Sequence, residues 1–580
     1  MSSEKTSKFT LHYSKTKLLN TQPLENAYVA KQEEFDYDYN PFRLSQLQNY
    51  NPVYSQFFEL TPKNYDTISL NHTYSIVSLD TIVHTETKET VLKPVFIKYA
   101  PLLDPLRYMI GKYDVQSKKT TVLPDSTLNK EVILPKLLDY NNASYVDNFF
   151  CYLTSQMLHK HCIPNCLDYY GSFLGIQEKY KANIIDDLDY LQSSSYFTEN
   201  LGKQFIVAKN DKLSDFTQLG SRSNKHKLCI STETELTSAL ELECISIQEE
   251  VLVESEQGSH ELVYENTKPG SETKSDRSSS TGSSNNSELN YSSDDNNDEE
   301  DDYETCSDEE EEEEEENDDE KSYSASDLSD EDVLSAYIHN FPVQLICLEK
   351  CDGTMDELFL RNKINKTNGS SILLQVIFSL IIFQKAFHFT HNDLHTNNIM
   401  YVKTEEEFVY YKYGGKWYKV PTYGKIFKLI DFGRSIYKFQ GKQFCSDSFA
   451  PGGDAVTQYN FEPFMNKNKA RLEPNYSFDL SRLGTSIYDF VIDEEEPENM
   501  DPLQQTIYRW CTDDNGKNVL YKKNGEERYP NFKLYKMIVR TVHEHTPENQ
   551  LQFDYFNQHE VNEWDGVSTV IDIDTVPCYV

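Results

Sequence analysis

His391-Asn392-Asp393-Leu394-His395-Thr396-Asn397-Asn398, followed by Leu429-Ile430-Asp431-Phe432-Gly433, decides how the rest of this chain is read. Asp393 and Asn398 stand five residues apart in one polar stretch, and Asp431 opens a second. Both stretches are entered from apolar runs. Ile372 to Phe387 patterns as a helix ending just before His391, and Ile426 to Ile430 as a short strand running into Asp431. Ile399 to Val402 reads as a second strand leaving Asn398. An amide and a carboxylate at such ends are hard oxygen donors suited to Mg2+. Asp393 beside them suits orienting a hydroxyl and taking its proton.

Working outward, Phe408 to Tyr413 and Lys416 to Val420 flank Gly414-Gly415 and read as a β-hairpin between the two polar stretches. Upstream, Thr67 to Tyr99 is a series of β-rich runs, and Val95-Phe96-Ile97-Lys98 puts a lysine on a strand. Ser144 to His161 reads as a helix with Ser144 as N-cap and Asp147 near its start. Leu167 to Leu174 reads as a strand, as does the apolar run Val343 to Leu348, which ends in Glu349-Lys350-Cys351-Asp352-Gly353. Lys533 to Glu544 is an amphipathic helix, and the last twenty residues are strand-like or irregular. The first sixty or so residues, rich in Tyr, Asn and Gln, read as an extension that packs on a domain.

Composition narrows the classes. The formal net charge of -40 disfavours direct contact with nucleic acid or an anionic membrane. Residues 294–320 hold 20 acidic and no basic side chains, half of that charge. They lie in a long insertion at about 175–340, whose part from about 255 to 332 is Ser, Asn, Asp and Glu with few apolar residues. Such a stretch buries too little apolar surface to offset its conformational entropy and is expected to be disordered. Its charge suits basic protein partners. Eleven cysteines include no C-x-x-C pair. Cys162 and Cys166, with His159 and His161 nearby, are weighed as a zinc set against free thiols in a reducing compartment, the simpler expectation. Met1 to Lys8 lacks a signal-peptide core, and Ile372 to Phe383, broken by Gln375 and Ser379, is too short to span a bilayer. An intracellular protein of unspecified oligomeric state is expected.

Val95 to Lys98, Leu345 to Gly353, His391 to Asn398, Leu429 to Gly433 and Asp479-Leu480-Ser481-Arg482-Leu483-Gly484 together resemble the protein-kinase-like superfamily. The chain is similar in particular to divergent serine/threonine kinases of mimivirus-type giant DNA viruses, and more distantly to haspin. The resemblance covers roughly residues 67–175 and 341–550. It implies an α+β, bilobal fold: an N-terminal extension over 1–66, a small β-rich lobe over 67–348 that contains the insertion, and a larger helical lobe over 349–580. It implies ATP- and Mg2+-dependent transfer to protein hydroxyls, serine or threonine. In that scheme Lys98 holds the α- and β-phosphates with Asp147 as its helix partner. Glu349 and Cys351 meet the adenine through their backbone, and Asp356 meets the ribose. Asp393 is the base, His395 bonds the transferring phosphate, and Asn398 and Asp431 hold the metal. Asp479 braces the catalytic loop.

The sequence departs from the family at several points. No glycine-rich loop precedes Lys98; the expected place is Leu70-Asn71-His72-Thr73-Tyr74. The helix after Lys98 offers Asp147 where the family has a glutamate. Asn392 replaces the arginine that reads an activation-segment phosphate, so activity without that phosphorylation is expected. His395 replaces a lysine, and Ala450-Pro451-Gly452 is the nearest string to A-P-E. Ser307, Ser326 and Ser329 precede acidic residues and suit phosphorylation by an acidophilic kinase. A pseudokinase scaffold and a small-molecule kinase of the choline or aminoglycoside type are the alternatives.

Overall fold

Five antiparallel strands in one sheet organise the N-terminal part of the chain in a computed structural model. The structure describes residues 8–15, 17–31, 38–114, 119–126, 129, 131–185, 187–207, 334–492 and 500–580. All belong to one unit, Met1–His226 with Asp318–Val580; a second unit, Lys227–Asn317, lies outside the described residues, as do the acidic run and Ser307, Ser326 and Ser329. The described chain is a mixed α+β structure.

The elements that build the first half are β1 (Leu44–Gln48), β2 (Val95–Pro101), helix α1 (Ala143–His161), β3 (Tyr169–Asn183) and β4 (Ser335–Glu349). The sheet runs β1-β3-β4-β2, and Phe205–Val207 adds to β4. β3 does not stop at Leu174: Asn183 pairs with Ser335, so residues expected in the insertion extend the sheet. β1 comes from the N-terminal extension and forms the far edge. β4 is buried along nearly its whole length, which is why it reads as an apolar run without alternation. β2 alternates instead: Val95 and Ile97 face the core, while Phe96 and Lys98 share the other face. Asn142, not Ser144, caps α1, accepting the Ser144 N–H at 3.0 Å. Ser144 is inside the helix and donates its hydroxyl to the Pro101 carbonyl.

The segment expected to cover the phosphates lies elsewhere. Ile68–Leu70 pairs with Tyr13–Lys15, Asn71 accepts from the Tyr152 hydroxyl of α1, and the His72 ring packs edge-on to Tyr169 of β3. Tyr74–Ser78, Thr81–His84 and Thr90–Leu92 form a separate sheet. Among the described residues β2 pairs with β4 alone.

The second half holds α2 (Met355–Leu360), α3 (Gly369–Phe387), β5 (Ile399–Lys403), β6 (Phe408–Tyr413), β7 (Lys416–Pro421), β8 (Lys425–Leu429), α4 (Phe478–Val491), α5 (Pro502–Trp510) and α6 (Lys533–Thr541). By length and composition alone α3 could cross a membrane, but 94% of its apolar window is buried inside the protein. Its polar interruptions are satisfied there: Gln375 accepts from Phe427 N–H at 3.0 Å and from Asn165 at 3.1 Å, fastening α3 to β8. β6 and β7 form the hairpin, with positive φ at both Gly414 and Gly415, the backbone a two-residue turn of this hand requires. β6 also pairs in parallel with Thr569–Asp572, so the chain's last residues close this sheet.

Candidate active site

Strand register brings the polar stretches together. β5 and β8 pair with Ile399 opposite Leu429, and the Ile430 N–H bonds the Asn398 carbonyl at 3.0 Å. Asn398 and Asp431 therefore leave the same end of one strand pair, although a hairpin separates them in sequence. α4 holds the first stretch from below. The buried Asp479 carboxylate accepts the N–H groups of His391 and Asn392 at 2.8 and 2.9 Å. Burial pushes this carboxyl up, against the opposing pull of His391 and these two amides.

Lys98 is the junction between the two halves. Its ammonium lies 2.7 Å from Asp147 and 2.8 Å from Asp431, with side-chain exposures of 26, 2 and 47% respectively. Burial works against the Lys98 charge, but the two carboxylates reverse this and hold its pKa above the usual value. In Asp431 burial is likewise outweighed, by the Lys98 ammonium, so this carboxyl is held below the usual range. The other Asp147 oxygen accepts the Phe432 N–H at 2.9 Å. The short arm of aspartate thus reaches the lysine because α1 comes close enough to bond the backbone of Asp431-Phe432-Gly433. Aromatic packing backs that approach. Phe432 meets Phe150 of α1 at 4.7 Å and the buried His391 at 5.7 Å, and Phe150 stacks on Phe389 at 4.3 Å.

Asp393 has one hydrogen-bonded oxygen and one beyond hydrogen-bond reach of its neighbour. Oδ1 accepts from the Tyr535 hydroxyl at 2.7 Å, and Oδ2 lies 3.9 Å from Arg434 Nε. Burial raises this carboxyl, while Arg434, Arg482 and His395 pull it below its usual value. His395 is pushed down to about 4 by burial, against the pull of Asp393, so it is neutral near pH 7. Asn398 donates its amide to the Asp393 carbonyl at 2.9 Å, which leaves Oδ1 as its end for a cation. Asn398, Asp431 and Lys98 together fit a hard divalent cation and a polyphosphate.

The remaining nucleotide candidates lie between the last residue of β4 and the first turn of α2. The Glu349 carboxylate is turned into a buried cluster with Lys428, Lys93 and the Asp168 N–H, and its own N–H bonds the Asp168 carbonyl at 3.1 Å. Neither group is open to a ligand. Cys351 is half-buried, burial pushes its thiol up to about 12, and its backbone makes no internal hydrogen bond among the described residues. Asp356, in the first turn of α2, accepts from the Thr396 hydroxyl at 2.6 Å. His159 and His161 bond Asp168 and Tyr579, so they do not converge with Cys162 and Cys166.

Several contributors escape sequence reasoning. Tyr535 comes from α6 and Phe532 from the cap residue before it, and Arg434 stacks on both at 5.9 and 5.8 Å while pairing with Asp454. Asp447 accepts the Ala143 N–H at 3.0 Å at the start of α1 and pairs with Lys136. Tyr459 donates to Asn392 Oδ1 at 2.6 Å. Phe96, on the Lys98 face of β2, is 52% exposed. None has a local pattern; only the exposed aromatic two residues before Lys98 could have been singled out by strand alternation.

No protein-family model matches the chain. It is 33% identical over 124 residues to serine/threonine-protein kinase haspin of Bos taurus, covering 20% of this chain and 15% of that protein. It is 34% identical over 98 residues to the probable kinase 098L of Invertebrate iridescent virus 3, covering 17 and 18%. It is 26% identical over 211 residues to the uncharacterized protein 098R of Invertebrate iridescent virus 6, covering 34 and 32%. The chain therefore spans about a sixth to a third of the length of these relatives. Over these stretches the chain is similar to the haspins and to a probable viral kinase, a divergent protein-kinase-like likeness.

Proposed function

We propose that the chain is an ATP- and Mg2+-dependent protein kinase directed at serine and threonine. One observation carries this: the Lys98 ammonium joins Asp147 of α1 to Asp431, with Asp393 and Asn398 on the facing loop. We further propose the two-lobe division, with β1–β4 and α1 in the smaller lobe, α2–α6 in the larger, and nucleotide between them.

Bound Mg2+ supplies charge neutralisation on the phosphates. Asn398 and Asp431 hold it through their side-chain oxygens, and Lys98 holds the phosphate oxygens. The Cys351 backbone and the exposed Phe96 ring meet the adenine, and Asp356 the ribose. Asp393, ionised, takes the proton of the acceptor hydroxyl at Oδ2; neutral His395 donates a hydrogen bond to the transferring group. Asp447 at the start of α1 and Tyr459 on Asn392 support activity that needs no phosphate on the stretch after Gly433. The net charge of -40 favours basic acceptor proteins. Free thiols at all eight described cysteines support a reducing compartment.

The edge of β2 that pairs with no strand among the described residues favours a second reading, a scaffold without nucleotide. Calorimetric titration with ATP separates the two. The kinase reading expects binding that requires Mg2+ and is lost in Asp431→Ala; no binding by the wild-type chain, with or without Mg2+, leaves the scaffold.

A further inference from the structure

The hydrogen-bond chemistry around Asp393 carries one step more. An arginine side chain has donors and no acceptor. Arg482 Nε lies 2.8 Å from the Tyr535 hydroxyl, so that oxygen accepts from Arg482. Its single proton is then committed to Asp393 Oδ1, at 2.7 Å. Arg482 is fixed in turn by Thr485, at 3.3 Å, and sits on α4 three residues after Asp479. α4 thereby holds the loop twice: Asp479 fixes the main chain of His391 and Asn392, and Arg482 acts through Tyr535 on the Asp393 side chain.

We propose that Tyr535, aimed by Arg482, is the positioning residue of Asp393: it pins one carboxylate oxygen and leaves Oδ2 as the oxygen presented to the acceptor hydroxyl. A carboxylate turns easily about its last torsion, whose well is broad. A hydroxyl donor to a charged oxygen removes that freedom and supplies a charge-assisted bond. The Tyr535 ring is held independently, stacked on Phe532 at 5.0 Å and flanked by the Arg434 and Arg482 guanidiniums, so loss of the hydroxyl alone leaves the packing in place. The charged and titratable groups that act on Asp393 include Arg434, Arg482, His395 and Tyr535 itself, and Asp479 beneath the loop.

This inference rests on the kinase reading, and its test keeps the two apart. Steady-state transfer from ATP is measured for wild type, Tyr535→Phe, Arg482→Met and the double variant, with thermal melts as the folding control. The expected result is a fall in kcat of about tenfold for Tyr535→Phe, the scale of one hydrogen bond to a charged group, with KM for ATP unchanged. The double variant is no worse than Tyr535→Phe, since both changes break one chain of bonds. An unchanged or raised kcat in Tyr535→Phe, or additive losses in the double variant, overturns the positioning role. A wild-type chain that binds Mg-ATP and transfers nothing overturns the kinase reading, and the inference with it.

Discussion

Asp147→Asn removes one charge from the Lys98 junction while keeping its shape. The amide oxygen can still accept from Phe432 N–H, now at 2.9 Å, but then the NH2 end faces the Lys98 ammonium, donor against donor. Breaking a fully buried pair on one side costs about 3–5 kcal/mol. Lys98 is 26% exposed and keeps Asp431, so the loss is nearer that of one charge-assisted hydrogen bond, about 2 kcal/mol. Expressed in nucleotide affinity, that is a weakening of about thirtyfold. Asp147→Glu is the sharper case, because it restores the side chain the family uses. It adds one carbon, about 1.5 Å, where α1 already bonds the Phe432 backbone. The carboxylate must buckle or α1 must retreat, and overpacking of this kind costs about 1–3 kcal/mol. Melting curves and ATP titrations of the two variants give the readout, and both are expected to melt several degrees lower and bind more weakly. Asp147→Glu equal to or better than wild type in both would refute the view that the short carboxylate sets the position of α1.

Other expectations follow from single contacts. Asp447→Ala deletes the carboxylate at the start of α1 and should lower stability by about 1–2 kcal/mol in urea titrations, with a parallel fall in ATP affinity. Phosphatase treatment of the wild-type chain should leave its transfer activity unchanged; a dependence on phosphate would contradict the role given to Asp447 and Tyr459. Tyr459→Phe strands the buried Asn392 Oδ1 and should cost about 1–3 kcal/mol in the same assay. Burial raises the Asp168 carboxyl, but His159, Lys93 and Ser155 hold it below its usual value. Its folded pKa is thus below the unfolded one of about 3.9, so its contribution is complete above about pH 5 and is lost as pH falls through the folded value. Urea midpoints from pH 3 to 7 should fall at the acid end in wild type and vary less in Asp168→Asn.

Elements and residues set by local pattern could be read from the sequence; those set by distant partners could not. The strands around Asn398 and Asp431, α3 and the Gly414-Gly415 hairpin follow from apolar periodicity and turn chemistry, and the structure has them within a few residues of the expected ends. Lys98, Asp147 and Asp431 could be named together because the motif spacings place them in order along the chain. β3 runs nine residues beyond the strand its apolar run predicts, since Gln177 to Asn183 is polar and strand-like only through its pairing with β4. The cap of α1 lies two residues before the predicted one, because Asn142 and Ser144 are both good caps and the Pro101 carbonyl engages Ser144. The pairing of the Glu349 carboxylate with Lys428 and Lys93 leaves no local trace either, because both partners are distant in sequence. Tyr535 and Asp447 reach their partners across 142 and 304 residues, and contacts of that span leave no periodic trace.

Phosphate transfer from labelled ATP with Mg2+ onto basic acceptor proteins, for wild type beside Asp393→Ala and Asp431→Ala, tests the central claim most directly. Label on protein with the wild-type chain, absent with both variants, is the predicted result. Label that persists in Asp393→Ala, or a wild-type chain that binds Mg-ATP and labels no protein, would contradict it.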